Sequence, residues 1–570
     1  MARFLWLLLL AVEFSIIAAD LETPAFPQPL DASTKELVKN LEARNIPLPV
    51  DQEALMTVPE IIRSYGYPVE EHQVVTADGY ILTLHRIPHG RNETAGSNAN
   101  STRPIVFLQH GLLCSSSMWV LNLPHQSAGF VFADAGYDVW MGNSRGNIYA
   151  RRHVRLSPED DAFWRFSWQQ MAEYDLPASI DGILLFTKQP SLYYVGHSQG
   201  SLTMFTKLSV DPAFAPKIRK FFALAPVARL SHPKGAFHYL GKLYDQAKAV
   251  LAIFGDGQFL RNNMLTRILA DLLCDAKFSS PLCTNLIFAI SGPDSHQFNA
   301  TRVPIYLAHN PAGTSMRTIV HYAQMVHFKR FAPYDLGQER NQRIYGAPFA
   351  PEYDISAVAA PTYLFYSDAD YLATPEDVEG FIMRRLNSTT LRVATKLSDF
   401  NHNDFMWGLR ARSEVYDPIV NIIQHDIRRQ EIQHTLQSRK ARMLRLKYHH
   451  VNARMRGVSR RKSIEKPVKE DKDVETTATP ITTASVPSST VTTTTTTEVP
   501  STTTVMESSS TTTEAPSTSP APRTTTESPS TSPVPSTTTS ATTTTEIPEP
   551  SETRLTDQET SILANIVRAL

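Results

Sequence analysis

One serine stands in a setting that suits nucleophilic chemistry. Ser198 lies at the centre of the stretch 196–200, Gly-His-Ser-Gln-Gly, directly behind the apolar run 192–195. Glycine on both sides permits a turn too tight for larger side chains, and residues 202–206 are typical of the start of a helix. Such a strand-to-helix turn holds the hydroxyl in the open at the edge of a sheet. Ser198 is therefore a candidate nucleophile.

A serine hydroxyl is a weak nucleophile at neutral pH, so it needs a base and a third group that orients the base. On strand-turn-helix scaffolds of this kind the acid and then the histidine follow the serine along the chain. Asp370 follows the apolar run 361–366, and His402 lies further downstream. These two residues are the predicted partners, although Asp368 is a close competitor for the acid.

The chain also offers candidate donors for an oxyanion hole. The apolar run 104–109 leads into His110-Gly111-Leu112-Leu113, a junction at which backbone N–H groups can point into the site. One donor is expected from Leu112 and the second from Gln199, the residue after the nucleophile.

The surrounding pattern predicts a parallel α/β sheet. Residues 72–87 read as a hairpin with Asp78-Gly79 in its turn. Apolar runs at 104–109, 137–141, 192–195, 220–224 and 361–366 alternate with helical stretches such as 176–187. Continuous apolar strands that alternate with helices indicate a sheet covered on both faces.

Other parts of the chain depart from this rhythm. Residues 229–359 read as helices and loops and are predicted to be an insertion above the sheet. Residues 427–475 are rich in lysine and arginine and are expected to form a solvated, partly helical extension, with binding to an anionic surface or nucleic acid as the alternative. Residues 476–550 are mainly Thr, Ser and Pro, typical of a disordered, mucin-like stalk. A short tail, 551–570, regains apolar residues.

Several features predict entry into the secretory route. Residues 1–19 resemble a signal peptide, and residues 20–57 form a leader segment ahead of the core. Four sequons would then be N-glycosylation sites, at Asn92, Asn100, Asn299 and Asn387. The run 4–12 is too short to span a membrane, so the mature chain is expected outside the cytosol, secreted or in the lysosomal lumen.

The three cysteines leave their pairing open. Cys274 and Cys283 are near neighbours that could close a small loop in an oxidising compartment, with Cys114 unpaired, but three pairings are possible. The net charge of −1 gives no steering toward nucleic acid, and no metal, nucleotide or other cofactor motif is found.

Beyond these patterns, a series of short motifs resembles the acid lipase family, which includes gastric lipase and lysosomal acid lipase. The resemblance runs from about Val58 to Asp426. The motifs are YGYP at 65–68, ADGYIL at 77–82, LQHGLL at 108–113, AGYDVW at 135–140, GNSRGN at 142–147, YDLP at 174–177, GHSQG at 196–200, HNPAGTS at 309–315 and NH at 401–402.

The resemblance implies an α/β-hydrolase core at 58–228 and 360–426 with an inserted cap and lid at 229–359. It implies that Ser198 is the nucleophile, that Asp370 rather than Asp368 is the acid, and that His402 is the base. It also implies a disulfide between Cys274 and Cys283. The family's third cysteine is not matched, because serine stands near its place at Ser291 and a cysteine occurs instead at Cys114.

We therefore expect a secreted serine ester hydrolase that acts on lipid esters, such as acylglycerols or cholesteryl esters, at a lipid–water interface. Neither nucleic acid nor a transmembrane segment is expected, and the oligomeric state is not readable from the sequence. The alternatives are an acyltransferase or other carboxylesterase on the same fold, and a lipid carrier or matrix protein with a vestigial site, suggested by the stalk.

Overall fold

A computed structural model describes residues 51–93, 103–242, 244–245, 256–260 and 287–462. The signal peptide, Asn100, the two cysteines predicted to pair, the stalk and the terminal tail lie outside these residues, as does most of the leader segment. The chain divides into two compact units, 1–440 and 441–570.

Eleven strands are described. They are β1 Glu70–Val75, β2 Tyr80–Ile87, β3 Ile105–Gln109, β4 Asp138–Met141, β5 Arg152–His153, β6 Leu192–His197, β7 Ile218–Leu224, β8 Gln258–Phe259, β9 Thr314–Ser315, β10 Thr362–Ser367 and β11 Leu391–Leu397. The main sheet has the order β1-β2-β4-β3-β6-β7-β10-β11, with β5 also paired to β2. In this sheet the β1–β2 hairpin and the β2–β4 pair are antiparallel. The neighbouring strands in the order β4-β3-β6-β7-β10-β11 are all parallel. The predicted α/β-hydrolase fold with a mostly parallel sheet is confirmed.

Helices lie between the strands along the chain and continue after the last strand. The α-helices are α1 Gln52–Leu55, α2 Val58–Ser64, α3 Ala128–Asp134, α4 Trp168–Gln170, α5 Leu176–Thr187, α6 Gln199–Val210, α7 Gly235–Lys242, α8 Val303–His309, α9 Met316–Phe328, α10 Gln338–Tyr345, α11 Pro375–Asp377, α12 Asp404–Trp407 and α13 Asp417–Lys462. No helix among the described residues combines the length and the apolar character needed to cross a membrane.

The central strands form because their residues are apolar on both faces. Every residue of β3, β4, β6 and β10 is buried, as expected for a parallel sheet covered by helices on both sides. The β11 strand was not predicted from the sequence. It forms the edge of the sheet beside β10, and its residues are only partly buried or exposed, so it lacks the continuous apolar run that marks the other strands.

Three of the family motifs meet in a buried ion cluster. The guanidinium of Arg145, from GNSRGN, donates to both carboxylate oxygens of Asp78, in the hairpin turn, at 2.6 and 2.9 Å. Its Nε donates to Asp175, from YDLP, at 2.7 Å. Arg145 is 1 % exposed, and removing one partner of such a buried pair typically costs about 3–5 kcal/mol. These three residues therefore stabilise the scaffold.

The first turns of helix α13 pack against the sheet. Ile419 and Ile423 are buried, and the carboxylate of Asp426 accepts hydrogen bonds from Tyr193 and Arg219, both at 2.8 Å. The helix continues across the predicted boundary between residues 426 and 427, and its side chains from 428 to 451 are exposed.

Candidate active site

Ser198 occupies a tight turn between strand β6 and helix α6. Its φ and ψ are 52° and −112°, a backbone conformation that costs free energy for any residue except glycine. A Cβ atom at Gly196 would lie 2.7 Å from the carbonyl carbon of Gly200, and one at Gly200 would collide with the carbonyl oxygen of Gln109. Only glycine fits at these two positions, which explains the spacing seen in the sequence.

Backbone hydrogen bonds hold the strained turn in place. The Ser198 amide donates to the carbonyl of Leu224 at 3.0 Å, and its carbonyl accepts from the Leu202 amide at 3.1 Å and the Ser201 hydroxyl at 2.6 Å. The side chain is nearly enclosed, with the residue 5 % exposed. The serine is thus fixed at the point where the strand ends and the helix begins.

His402 and Asp370 form a close pair. His402 Nδ1 lies 2.9 and 3.0 Å from the two carboxylate oxygens of Asp370. One of these oxygens also accepts from the amides of Leu372 and Ala373, each at 2.8 Å, and Asp370 is fully buried. A carboxylate in contact with Nδ1 favours the tautomer that carries its proton there. In that tautomer Nε2 is free to accept a proton.

Asp368, the competing candidate for the acid, has a different environment. Its side chain is 53 % exposed and forms an ion pair with Lys396 Nζ at 2.8 Å. It is a surface carboxylate at the end of β10.

The histidine that precedes the nucleophile links the serine turn to the loop of the candidate base. His197 Nε2 donates to the carbonyl of His402 at 2.9 Å, and the two rings lie 4.9 Å apart. Burial holds the pKa of His197 well below its usual range, so this imidazole is neutral. The amide of His402 donates to the carbonyl of Ser291 at 2.9 Å. Neither contact could be read from the sequence, although His197 lies inside the serine motif.

The predicted oxyanion donors lie beside the nucleophile. A Cβ atom added to Gly111 would be 3.3 Å from Ser198 Cβ, so the loop passes directly against the serine. Within the described part of the chain, the amides of Leu112 and Gln199 donate to no protein acceptor. Two N–H groups that lie next to a serine and donate to no protein acceptor are suited to bind a developing oxyanion.

His110 fixes this loop from behind. Its Nδ1 donates to the carbonyl of Gly111 at 2.7 Å, and its Nε2 accepts from the Ser144 amide at 3.0 Å and the Asn147 side chain at 3.2 Å. Burial lowers the pKa of His110 to about 4. His110 was not predicted to have a role, and it is a neutral, buried residue that supports the loop.

Cys114 is a free thiol in the same loop. Its Sγ donates to the carbonyl of Leu112 at 3.3 Å, and burial raises the pKa of the thiol to about 12. Since the thiolate is the reactive form of cysteine, this thiol is unreactive at neutral pH and helps to hold the oxyanion loop.

Helices from the predicted cap insertion reach the serine turn. The Tyr322 hydroxyl, on α9, donates to the side-chain oxygen of Gln199 at 3.3 Å, and Phe237, on α7, packs edge-on against Tyr322. The insertion therefore contributes aromatic side chains next to a predicted oxyanion donor.

The described sequons lie at or near the surface. Asn387 is exposed and Asn299 is partly buried, and the side-chain oxygen of each accepts from the threonine two residues on. Asn92 is exposed. Across the described ranges, no three His, Cys, Asp or Glu side chains are grouped to hold a metal ion.

Comparison with known proteins gives consistent matches. The model of the α/β-hydrolase fold matches residues 104–408, and that of a partial α/β-hydrolase lipase region matches residues 58–123. The chain is 48 % identical to Lipase lipl-1 of Caenorhabditis elegans over 380 residues, 66 % of this chain and 93 % of the relative. It is 42 % identical to human gastric triacylglycerol lipase over 379 residues, 66 % of this chain and 93 % of that protein. Identity to human lysosomal acid lipase/cholesteryl ester hydrolase is 42 % over 376 residues, 66 % of this chain and 92 % of that protein.

Proposed function

This chain belongs to the acid lipase family of α/β-hydrolases, and we propose that it hydrolyses lipid esters through an acyl-serine intermediate on Ser198. The enzyme is a lipase that acts on carboxylic ester bonds. Relatives are named for triacylglycerol and cholesteryl ester hydrolysis, and acylglycerols and cholesteryl esters are accordingly the proposed substrates.

In the proposed reaction, Ser198 Oγ attacks the carbonyl carbon of the ester while His402 Nε2 takes the hydroxyl proton. The amides of Leu112 and Gln199 donate hydrogen bonds to the oxyanion of the tetrahedral intermediate. Collapse of this intermediate breaks the ester bond, and His402 passes the proton to the departing alcohol. Water then attacks the acyl-serine with His402 again as base, which releases the fatty acid and restores Ser198.

The contact between His402 and Asp370 is the observation that carries this proposal. Both carboxylate oxygens lie within 3.0 Å of Nδ1, in a fully buried site. A buried carboxylate at this nitrogen stabilises the imidazolium that forms when His402 takes the proton. The structural role of a buried histidine alone would not require a charged partner at Nδ1.

Replacement of Ser198 by alanine tests the proposal. Ser198→Ala is expected to lower kcat on a fluorogenic long-chain ester by about 10⁶-fold, since loss of the nucleophile disables the whole triad. Ser413→Ala, at an exposed serine, is the matched control and should keep full activity. Both variants should keep the wild-type melting temperature within about 2 °C, because neither change removes buried apolar surface.

The same assay separates the rival functions. A folded Ser198→Ala protein with undiminished turnover would remove the nucleophile assignment. A wild-type protein that binds lipid esters without hydrolysing them would be a carrier. Transfer of the acyl group to an added long-chain alcohol in preference to water would indicate an acyltransferase.

We further propose that the insertion 229–359 is a cap that covers the acyl chain of the substrate. The contact of Tyr322 with Gln199 supports this role, because it brings an aromatic side chain of the insertion to the serine turn. Tyr322→Ala is expected to reduce turnover of a long-chain ester more than that of an acetyl ester. An equal loss on both esters would argue against contact with the acyl chain.

The proposed location is the secretory route, with release from the cell or delivery to the lysosomal lumen. The sequence of residues 1–19 and the surface position of Asn387 support it. Expression in animal cells should yield protein in the medium or in lysosomes whose mass falls after removal of N-glycans. A protein that keeps its mass and stays in the cytosol would contradict this location.

A further inference from the structure

The second compact unit carries an unusually basic stretch of helix α13. Within residues 441–462 there are eight lysine and arginine residues and no aspartate or glutamate. They are Arg442, Arg445, Lys447, Arg454, Arg456, Arg460, Arg461 and Lys462. This stretch of the helix therefore supplies no neutralising charge of its own.

The same stretch exposes large apolar side chains. Leu444, Tyr448 and Val451 are 59, 66 and 60 % exposed, at positions i, i+4 and i+7 that share one side of a helix. Met443 and Leu446 are 63 and 56 % exposed but lie on other sides, roughly 110° and 170° around the axis from the centre of this one. The side formed by Leu444, Tyr448 and Val451 would be costly to leave in water.

Basic side chains line a different side of the helix. Arg442 and Arg445 occupy positions i and i+3, and His449 follows at i+7, so the three share one side. At about 100° per residue, the centre of this side lies roughly 130° around the axis from that of Leu444, Tyr448 and Val451. Lys447 lies at the border of the apolar side, roughly 70° from its centre, where a long side chain can extend its ammonium group toward the headgroups. We call residues 442–451 the basic amphipathic segment.

We propose that the basic amphipathic segment docks on an anionic lipid surface. A helix with arginine on one side and leucine, tyrosine and valine on the other lies in the plane of a lipid interface, with its apolar side among the acyl chains. Its cations then meet the negative headgroups, each adding to the attraction. This inference goes beyond the proposed function, because docking requires no catalytic residue.

Nucleic acid is a poorer match to this segment. Binding to phosphates would use the arginines but would leave Leu444 and Val451 exposed to water, and only Tyr448 could stack on a base. A lipid surface satisfies both the charges and the apolar side chains. The relatives compared above cover about two thirds of this chain, and the segment lies beyond the family models, which end at residue 408.

Vesicle binding by the full chain tests the proposal. The vesicles contain diether phosphatidylcholine with or without 30 mol% diether phosphatidylserine, so that the lipids hold no ester for the enzyme to cleave. In 0.1 M salt, the protein is expected to sediment with the anionic vesicles and much more weakly with the neutral ones. Equal binding to both would overturn the proposal.

Two triple variants separate charge from apolar contact. Arg442→Gln with Arg445→Gln and Lys447→Gln should weaken binding to anionic vesicles by roughly 100-fold, about fivefold for each cation. Leu444→Gln with Tyr448→Gln and Val451→Gln should weaken it by at least tenfold. Glutamine is a good helix former, so both variants should keep the helix.

The matched control removes three cations from the first unit, at exposed positions. Arg155→Gln with Arg340→Gln and Arg384→Gln changes the net charge by the same amount and should leave binding within twofold of wild type. All three variants should hydrolyse a soluble short-chain ester at the wild-type rate, which shows that the catalytic unit is intact.

Three results would overturn the proposal. One is an equal loss of binding in the control and in the 442/445/447 variant, since net charge alone would then explain it. Another is unchanged binding in the 444/448/451 variant, because the apolar side would then not enter the lipid. The third is a 442/445/447 variant that loses binding to duplex DNA but keeps its binding to anionic vesicles, which would make nucleic acid the partner.

Discussion

The contrast between two aspartates near the end of β10 gives a sharp prediction. Asp370→Asn is expected to reduce kcat by about 10⁴-fold, as the equivalent exchange does in other Ser-His-Asp enzymes. The Asp370 carboxylate accepts from His402 Nδ1 and from the amides of Leu372 and Ala373. An asparagine has a single oxygen for these three donors. If the oxygen keeps the two amides, its NH₂ group faces Nδ1, and His402 must move its proton to Nε2, where it can no longer accept one from Ser198.

The opposite orientation of the asparagine is also unfavourable. Its NH₂ group would then face two buried backbone amides, and each unsatisfied donor costs about 1–3 kcal/mol. A 10⁴-fold loss corresponds to about 5.5 kcal/mol of transition-state stabilisation. The orientation that keeps the productive tautomer is thus disfavoured, and the variant is expected to lose most of its activity because the other orientation predominates.

Asp368→Asn is the matched control for this prediction. Asp368 is more than half exposed and its ion pair with Lys396 lies at the surface, where such pairs contribute little to stability. The control should keep kcat within about twofold of wild type. The assay measures kcat for hydrolysis of a fluorogenic ester between pH 5 and 8, and the melting temperature of each variant checks that it is folded. A loss below tenfold in Asp370→Asn, or a larger loss in Asp368→Asn, would refute the assignment of the acid.

Three further predictions concern pH dependence, the cysteines and the extension. Burial raises the pKa of Asp404 from 3.8 to about 7, so this carboxyl binds its proton more tightly in the folded state, and the free energy of unfolding should fall as the pH rises from about 4 to 7. In Asp404→Asn this fall should be absent. Chemical denaturation should therefore show that the free energy of unfolding of the variant, relative to wild type, is higher at pH 8 than at pH 4 by at most about 4 kcal/mol. An identical difference at pH 4 and pH 8 would contradict the raised pKa. A non-reduced peptide map should link Cys274 to Cys283, and linkage of either to the third cysteine would contradict the pairing. Truncation after Gln437 should leave an active hydrolase, because Ile419, Ile423, Asp426 and Ile427, through which α13 contacts the core, all precede that point; a folded but inactive truncated protein would show that the extension takes part in catalysis.

The sequence predicted the long buried strands of the sheet and missed the partly buried edge strand β11 and the two-residue strands β5, β8 and β9. The predicted runs 192–195 and 361–366 correspond to β6 and β10, whose observed limits lie within two residues of the predicted ones. The edge strand β11 is only partly buried, so its side chains carry little apolar pattern. Continuous burial leaves a clear trace in a sequence, whereas pairing at a sheet edge depends on backbone hydrogen bonds that any residue can make.

The candidate site likewise contains residues whose roles were predictable from the sequence and residues whose roles were not. Ser198 was predictable because glycine is the only residue that fits on either side of its turn. The order of Asp370 and His402 followed from the scaffold, but their contact depends on two loops that are far apart in the sequence. The roles of His110 and His197 were not predictable, because each depends on hydrogen bonds to backbone groups that a sequence does not display.

Covalent labelling of Ser198 tests the central claim most directly. A fluorophosphonate reacts with an activated serine, and we expect one phosphonate per chain, located by mass spectrometry on the peptide that contains Ser198. Loss of ester hydrolysis should follow the labelled fraction in direct proportion, and the Asp370→Asn variant should react far more slowly. Stoichiometric labelling of another residue, or full activity in protein labelled at Ser198, would contradict the proposed catalytic serine.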